Sequence, residues 1–359
     1  MNRIAVPVLA GMGNGLMAQP MVRQLAAAHS DAELVVLARN GSIAGVFERL
    51  SEVARVEIFG NEPRQFARLL RRLRSLKADL LVVPYPSNRW QYSLMASASR
   101  ATHIVMHDYP VGRVRAMHGL VGGRVPTHGG RHDVLTNLDL LRPLGIEPDA
   151  TMPPIFPLDA SQQREVQQQL PQTEGLCAVH AGSGATVFAL SKRWPPEKYG
   201  ELIPRLRESG YTPILLEGPE DQGVGDLLAK HTDAPLVRLH GPLGDAAAVL
   251  AACDLYVGSD SGLAHLAAAV GTPPVTLFGP ARPDEVSPFG YRHLVVQTPA
   301  PCAPCFDYPH RRTTPHVRCR PPYCVGQITV DAVMEKVAQS SKIDASAAAS
   351  GTSSARGEA

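Results

Sequence analysis

The stretch Leu255-Tyr256-Val257-Gly258-Ser259-Asp260-Ser261-Gly262-Leu263-Ala264-His265-Leu266-Ala267-Ala268-Ala269 decides the fold. It opens with a short, mostly apolar run that suits a buried strand and stops at a glycine. Asp260 and Ser261 are helix-capping residue types, and the Ala- and Leu-rich run after them is helical in composition. A strand that passes through a capped turn straight into a helix is half of a βα unit, and such units predict a parallel sheet. The turn carries chemistry as well. Exposed N–H groups at a helix start, with the positive end of its dipole, favour a phosphate, and Gly262 lets oxygens approach without a side chain in the way. His265, one turn in, is placed to meet an anion. The same letters also suit a capped helix that binds nothing.

Outward from this stretch the same grammar repeats. Leu176–His180, Thr212–Glu217, Leu236–Leu239 and Pro274–Phe278 read as strands; Pro196–Ser209, Gln222–His231 and Leu243–Ala252 read as helices. In the first half, strands are expected at Arg3–Leu9, Glu33–Ala38, Val56–Phe59, Asp79–Pro84 and Thr102–Met106. Helices are expected at Pro20–His29, Ile43–Leu50 and Arg64–Leu76, the first of them preceded by a glycine-rich turn, Gly11–Gly15. Leu144–Gln172, with Pro148, Pro153, Pro154 and Pro157, suits a linker. The simplest α/β architecture is two Rossmann-like, doubly wound domains facing a cleft. Residues 1–157 form the first and residues 158–338 the second, with a Cys-rich loop at 301–324; the Ser/Ala/Gly-rich residues 339–359 are expected to be a disordered tail.

Composition agrees. The 359 residues suffice for two domains of roughly 150 residues each. Apolar residues at 44% and charged residues at 19% describe a globular chain. With 35 Lys and Arg against 33 Asp and Glu, the formal charge is +2, and aromatics are only 5%. Neither value calls for nucleic acid as a partner. No apolar run approaches the ~20 residues that cross a bilayer. Met1–Gln19 begins with Asn2-Arg3 and then turns apolar, but Pro7, Gly11, Gly13, Asn14 and Gly15 interrupt any signal-peptide core, so a cytoplasmic location is expected. Cys177 and Cys253 read as small core residues.

Ligands of open parallel sheets bind at the carboxyl ends of strands. Two further loops therefore join the one at Asp260. His180-Ala181-Gly182-Ser183-Gly184, followed by Ser191-Lys192-Arg193-Trp194-Pro195, offers a small-residue turn with Lys192 or Arg193 to neutralise a phosphate; it also suits a surface turn with solvated bases. Gly11–Gly15 lacks the G-x-G-x-x-G spacing, since residues 16 and 18 are Leu and Ala, and Asp31 and Glu33 come too early for a ribose-binding acid. A nicotinamide dinucleotide is therefore not expected.

Together, Lys192-Arg193-Trp194-Pro195 and the run from Asp260 to Ala269 resemble the ADP-heptose:lipopolysaccharide heptosyltransferase family, glycosyltransferase family 9. Gly271-Thr272-Pro273, Leu277-Phe278-Gly279-Pro280 and Pro288 extend the likeness, as do Gly13-Asn14-Gly15-Leu16-Met17-Ala18-Gln19-Pro20 and Asn137-Leu138-Asp139-Leu140-Leu141. It covers about residues 3–335 and is most specific in the second half. The resemblance implies the GT-B fold and an inverting transfer of heptose from ADP-heptose to a lipopolysaccharide core acceptor, with no metal or cofactor required. By that resemblance the start of the helix at Ser261, Gly262 and Leu263, with Ser183 and Lys192, would hold the diphosphate and His265 would support it. Asp260 would hold sugar hydroxyls or orient the turn, Gly279 and Pro280 would wall the nucleotide, and Glu220 or Asp221 would meet its ribose.

One residue departs from the family. Its front turn usually reads Gly-Asp, and that aspartate is the proposed general base for the acceptor hydroxyl. This chain has Asn14, and a carboxamide cannot take a proton at neutral pH. Asn14 can still position the acceptor; a displaced base (Asp108 or His107), a different acceptor or a weakened paralogue are the alternatives. Cys302, Cys305, Cys319 and Cys324, with His310 and His316 between them, read either as a structural metal site or as four free thiols. A family subgroup that modifies autotransporter proteins carries a C-terminal metal-binding finger, so a protein acceptor or another sugar donor is the alternative function. Arg89, Arg113, Arg115, Arg124 and Arg131 could meet phosphorylated core sugars or bring the first domain to the inner membrane surface; solvated surface charge is the more common fate of any single one of them.

Overall fold

The computed structural model describes residues 1–60, 62–109, 123–184, 187–306 and 323–351. Among the described residues the strands form two six-stranded sheets, both parallel. The first runs β3(Arg55–Ile58)-β2(Glu33–Ala38)-β1(Arg3–Val8)-β4(Leu80–Val83)-β5(His103–Asp108)-β6(Gly123–Pro126). The second runs β12(Val295–Gln297)-β11(Pro274–Phe278)-β10(Leu255–Ser259)-β7(Leu176–His180)-β8(Thr212–Glu217)-β9(Leu236–Arg238). The central strands are buried on both faces, which is why they read as continuous Val, Leu, Ile and Ala runs without alternation. Strands β6 and β12 lie at edges, are short, and escape a search for long apolar runs.

Helix α1 covers Met12–Ala28 and α2 covers Gly41–Phe47. Then come α3 (Pro63–Leu76), α4 (Trp90–Ser99), α5 (Asp133–Leu138) and α6 (Ala160–Gln169). The second half adds α7 (Val187–Leu190), α8 (Pro196–Glu208), α9 (Val224–Leu228) and α10 (Leu243–Ala251). It closes with α11 (Gly262–Val270), α12 (Pro283–Val286), α13 (Tyr323–Gly326) and α14 (Val330–Gly351).

Three elements differ from the sequence reading. The glycine-rich segment is no free turn: α1 starts at Met12 and carries Gly13, Gly15 and Pro20 inside it, because its buried apolar side packs on α2, α5 and α11. The expected linker holds α6, capped by Asp159, whose carboxylate accepts from the Ser161 and Gln162 amides. Helix α14 runs on to Gly351, through positions where the tail was expected to be disordered.

One apolar cluster is continuous across the two halves. It joins Ile4 and Val6 of β1 and Leu16, Met17 and Met21 of α1 to Ala247 and Leu250 of α10 and Leu266 of α11. Glycines allow the approach. A Cβ on Gly13 would fall 2.9 Å from His265 Cδ2, and one on Gly45 would fall 3.0 Å from Leu243 Cβ. The crossing chain is tied down by two buried glutamines: Gln19 exchanges hydrogen bonds with the Ile155 backbone, Nε2 to the carbonyl at 2.8 Å and Oε1 from the amide at 2.7 Å. Gln24 does the same at Asp149, both bonds 2.8 Å. The two halves thus share one apolar cluster, and the cleft lies between them.

Candidate active site between the two domains

Strand order reverses between β1 and β4 in the first sheet and between β7 and β10 in the second. Crevices at such switch points are where ligands of open α/β sheets bind. Both switch points open into one cavity of about 1160 Å3 between the domains, lined by Gly11–Asn14 and Tyr85 on one side and by Ser183, Lys192 and Asp260–Leu263 on the other.

The floor is made by two helix starts. Ser261 occupies the capping position of α11, but its side chain makes no cap; Oγ instead lies 3.4 Å from both Tyr256 OH and His180 Nδ1. The first amides of α11 are thus without a side-chain acceptor, and α1 meets the same cavity with its own start at Gly11–Gly13. Neither first turn contains an acidic residue. Two positive dipole ends converge on one space, an arrangement that favours an anion there. Lys192 adds a full charge beside it, its Nζ 2.7 Å from Asp260 Oδ2. Asp260 is buried, so it serves as the counter-ion that holds Lys192 in place while the cavity is open. His265 is also buried, and burial above all lowers its pKa to about 4, with the nearby His132 and Lys192 acting in the same direction. It faces the cavity as a neutral imidazole, so the positive charge in the cradle comes from Lys192 and the helix ends.

A second carboxylate organises the loop after β7. Asp221 accepts from the Ser183 and Gly184 amides at 2.9 and 2.8 Å, from His180 Nε2 at 3.0 Å and from Arg193 at 3.2 Å. Burial opposes its ionised form, but these donors outweigh it and hold the pKa at about 2. Its oxygens are already committed, so Asp221 clamps the loop, and the exposed Glu220 beside it is left facing the cavity. Ser183 Oγ is likewise spent on the Ala189 carbonyl, 2.5 Å away. Arg193 belongs to the clamp, and Trp194 is buried, its Nε1 donating to the Ile328 carbonyl.

Gly279 and Pro280 sit behind the wall; Ala281 and Arg282 line it. A Cβ on Gly279 would fall 2.1 Å from Val325 Cγ2, so this glycine is there to let α13 pack. Cys324 is buried against it, Cys305 is half-buried and Cys302 exposed, while Phe306, whose amide donates to the Pro280 carbonyl, lines the cavity. The Cys-rich segment thus buttresses the cavity wall. Cys319, His310 and His316 lie outside the described residues, and among those described no three His, Cys, Asp or Glu side chains are grouped to hold a metal.

On the first-domain side, Asn14 faces the cavity but its Oδ1 accepts the Gly11 amide at 3.2 Å, closing the first turn of α1. His107 is buried with Nδ1 3.3 Å from the Val125 carbonyl, and neither it nor Asp108 lines the cleft. Arg89 does, whereas Arg124 and Arg131 border a separate groove, where Arg131 pairs with Asp139; Arg113 and Arg115 lie outside the described residues. Six charged lining residues escaped the sequence reading: Arg39, Glu48, Arg49, Asp133, Arg282 and Glu285. Arg39 Nε is buried without a hydrogen-bond partner. Asp133 is buried, and burial above all, with Glu285 and Asp260 nearby, raises its pKa well above the ordinary carboxylate value. No motif marks these positions; they come in from the end of β2, the end of α2, and α5 and α12 with the residue before it, all folded against the cleft.

Two parallel Rossmann-like sheets around a phosphate-ready crevice define the chain as a GT-B protein. It belongs to glycosyltransferase family 9 (heptosyltransferase), whose family model matches residues 66–315. Lipopolysaccharide heptosyltransferase 2 of Escherichia coli K12 is 37% identical over 116 residues, 31% of this chain and 33% of that protein. The match to this relative thus spans about a third of the relative's length. Lipopolysaccharide heptosyltransferase 3 of Escherichia coli is 26% identical over 285 residues, 74% of this chain and 80% of that protein. Among solved structures, that of E. coli ADP-heptose LPS heptosyltransferase II superposes with a TM-score of 0.74 at 22% identity, covering 95% of this chain and 98% of that one.

Proposed function

We propose that this protein transfers a heptose from ADP-heptose to a lipopolysaccharide core acceptor by a single inverting displacement. The observation that carries the reading is the α11 start left without a side-chain cap, aimed into the interdomain cavity beside Lys192. An in-line displacement builds negative charge on the departing diphosphate, and donors already in place stabilise that charge at no reorganisation cost. The helix starts and Lys192 supply them; His265 supplies a neutral ring, Glu220 reaches the ribose, and Arg282 stands at the nucleotide side. Across the cleft, Arg39, Arg49 and Arg89 suit an acceptor that carries phosphate or carboxylate groups. The displacement is drawn without a metal, and the Cys302, Cys305, Cys319 and Cys324 group is read as a staple for the wall; metal analysis of the purified protein tests that assignment.

The reaction is placed in the cytoplasm, with the acceptor met at the inner membrane surface. No helix among the described residues is long and apolar enough to cross a membrane. The test is a transfer assay with ADP-heptose against a panel of truncated lipopolysaccharide cores, read by mass spectrometry, with UDP-sugars and a peptide acceptor as further arms. A mass increment of one heptose on a core supports the reading; transfer only from a UDP-sugar, or only to peptide, replaces it with the other donor or the protein acceptor.

A further inference from the structure

A displacement by a sugar hydroxyl needs a proton acceptor on the acceptor side, and at Asn14 this chain has none. The acidic groups that line the cleft can be sorted by what their oxygens already do. Asp221 is bound by four donors. Asp260 is paired with Lys192. Glu285 accepts the Gly130 amide at 2.7 Å. Glu48 and Glu220 are exposed and keep their oxygens in solvent. Asp133 alone among them is 4% exposed, faces the cavity, and has no hydrogen bond or ion pair to its carboxyl group among the described residues. A buried carboxyl with no partner, opening on a cavity, is costly to keep unless something in the cavity uses it.

Its position fits the task. Asp133 is the first residue of α5, which packs against α1, the helix that carries Asn14. His132, the cap of α5, is fixed by the Ser287 carbonyl 2.9 Å from its Nε2, so the helix start is pinned to the second domain. We propose that Asp133 is the general base of the transfer, taking the place of the aspartate that the family carries where this chain has Asn14. The assignment rests on the transferase reading above. In the step, the acceptor O–H gives its proton to an Asp133 oxygen while the hydroxyl oxygen's electron pair forms the new bond to the anomeric carbon. The bond from that carbon to the diphosphate breaks, its pair leaving on ADP, and Asp133 later returns the proton to water. Burial suits the role, because a carboxylate kept short of solvation is a stronger base than an exposed one. Besides burial, the groups that act on its charge are Glu285 of α12 and Asp260 before α11, both opposing its ionised form; Lys192, His265 and Arg282 of the cavity lining and His132 of its own cap are the other charged or titratable groups around the site.

The experiment compares wild type, Asp133→Asn, Asp133→Glu and Asp133→Asn/Asn14→Asp for transfer from ADP-heptose, with ADP binding measured by calorimetry. Asp133→Asn is expected to lower kcat about 10²–10⁴-fold, to change the ADP Kd less than threefold, and to abolish the acid limb of the kcat/KM profile. Asp133→Glu is expected to keep an acid limb at a shifted pH, and the double variant to recover rate through the carboxylate at 14. Asp133→Asn within tenfold of wild type with the limb intact overturns the proposal, as does a parallel loss of ADP binding and rate that Asp133→Glu fails to repair. A wild type that transfers heptose to no acceptor removes the functional reading and this assignment together; an active wild type with an unaffected Asp133→Asn removes the assignment alone.

Discussion

Lys192 is paired with Asp260 and lines the cavity, and in the proposed reaction the diphosphate would be its second partner. The sequence showed this lysine as a base beside a small-residue turn; it could not show that its counter-ion would be Asp260, the residue before the helix cap Ser261 and far along the chain. Lys192→Ala is expected to lower kcat about 10²–10³-fold, the scale of losing one preorganised donor to a developing charge. It also leaves Asp260 buried without a partner, so its donor KM should rise. Steady-state kinetics over a donor titration measure both, and a rate within threefold of wild type would contradict the role. His265 gives a second residue-scale expectation. Its folded pKa of about 4 lies below the unfolded value of 6.5, so between those pH values the unfolded chain binds more protons and this group's contribution falls as pH drops. Roughly 3 kcal/mol is at stake across that window. Asp133, with its pKa raised, acts with the opposite sign, so the readout is a difference: wild type should lose stability relative to His265→Asn between pH 6.5 and 4.5 in urea unfolding of the ligand-free protein.

The decisive contact between elements is the meeting of α1 and α11 at their starts. Sequence reading found α11 within a residue, because a strand, a capping pair and an Ala-rich run follow in order from Leu255. At α1 it placed the helix eight residues late. Two glycines and a proline are poor helix formers, and here tertiary burial overrides propensity. The glycines are where they are because two helices touch: Gly13→Ala would put its methyl 2.9 Å from His265 Cδ2. Such overpacking costs about 1–3 kcal/mol, and by prising the two helix starts apart it should weaken ADP binding as well. Thermal melts and ADP calorimetry on the same samples check this; a variant that binds ADP as wild type does would mean the two starts do not form one cradle.

Across the whole molecule, the apolar cluster that passes from β1 through α1 to α10 and α11 ties the domains into one cooperative unit. Calorimetry should therefore show a single unfolding transition, with two separated transitions counting against it. A ligand seated between the domains at 100 times its Kd adds about 2.7 kcal/mol to folding, so ADP should raise that transition by roughly 2–4 °C.

The sequence by itself determined the alternation of strands and helices, hence two parallel sheets, and the cradle at Asp260–Leu263, because hydrophobic periodicity and turn chemistry are local and can be read in a short window. It also showed that Asn14 breaks the family's pattern. Tertiary structure alone decided which carboxylates are committed: Asp221 became a clamp, Asp260 a counter-ion, and Asp133 an acid in the cleft with no partner among the described residues. Those roles depend on burial and on partners far away along the chain, and no window of residues contains that information until the two sheets have been brought face to face.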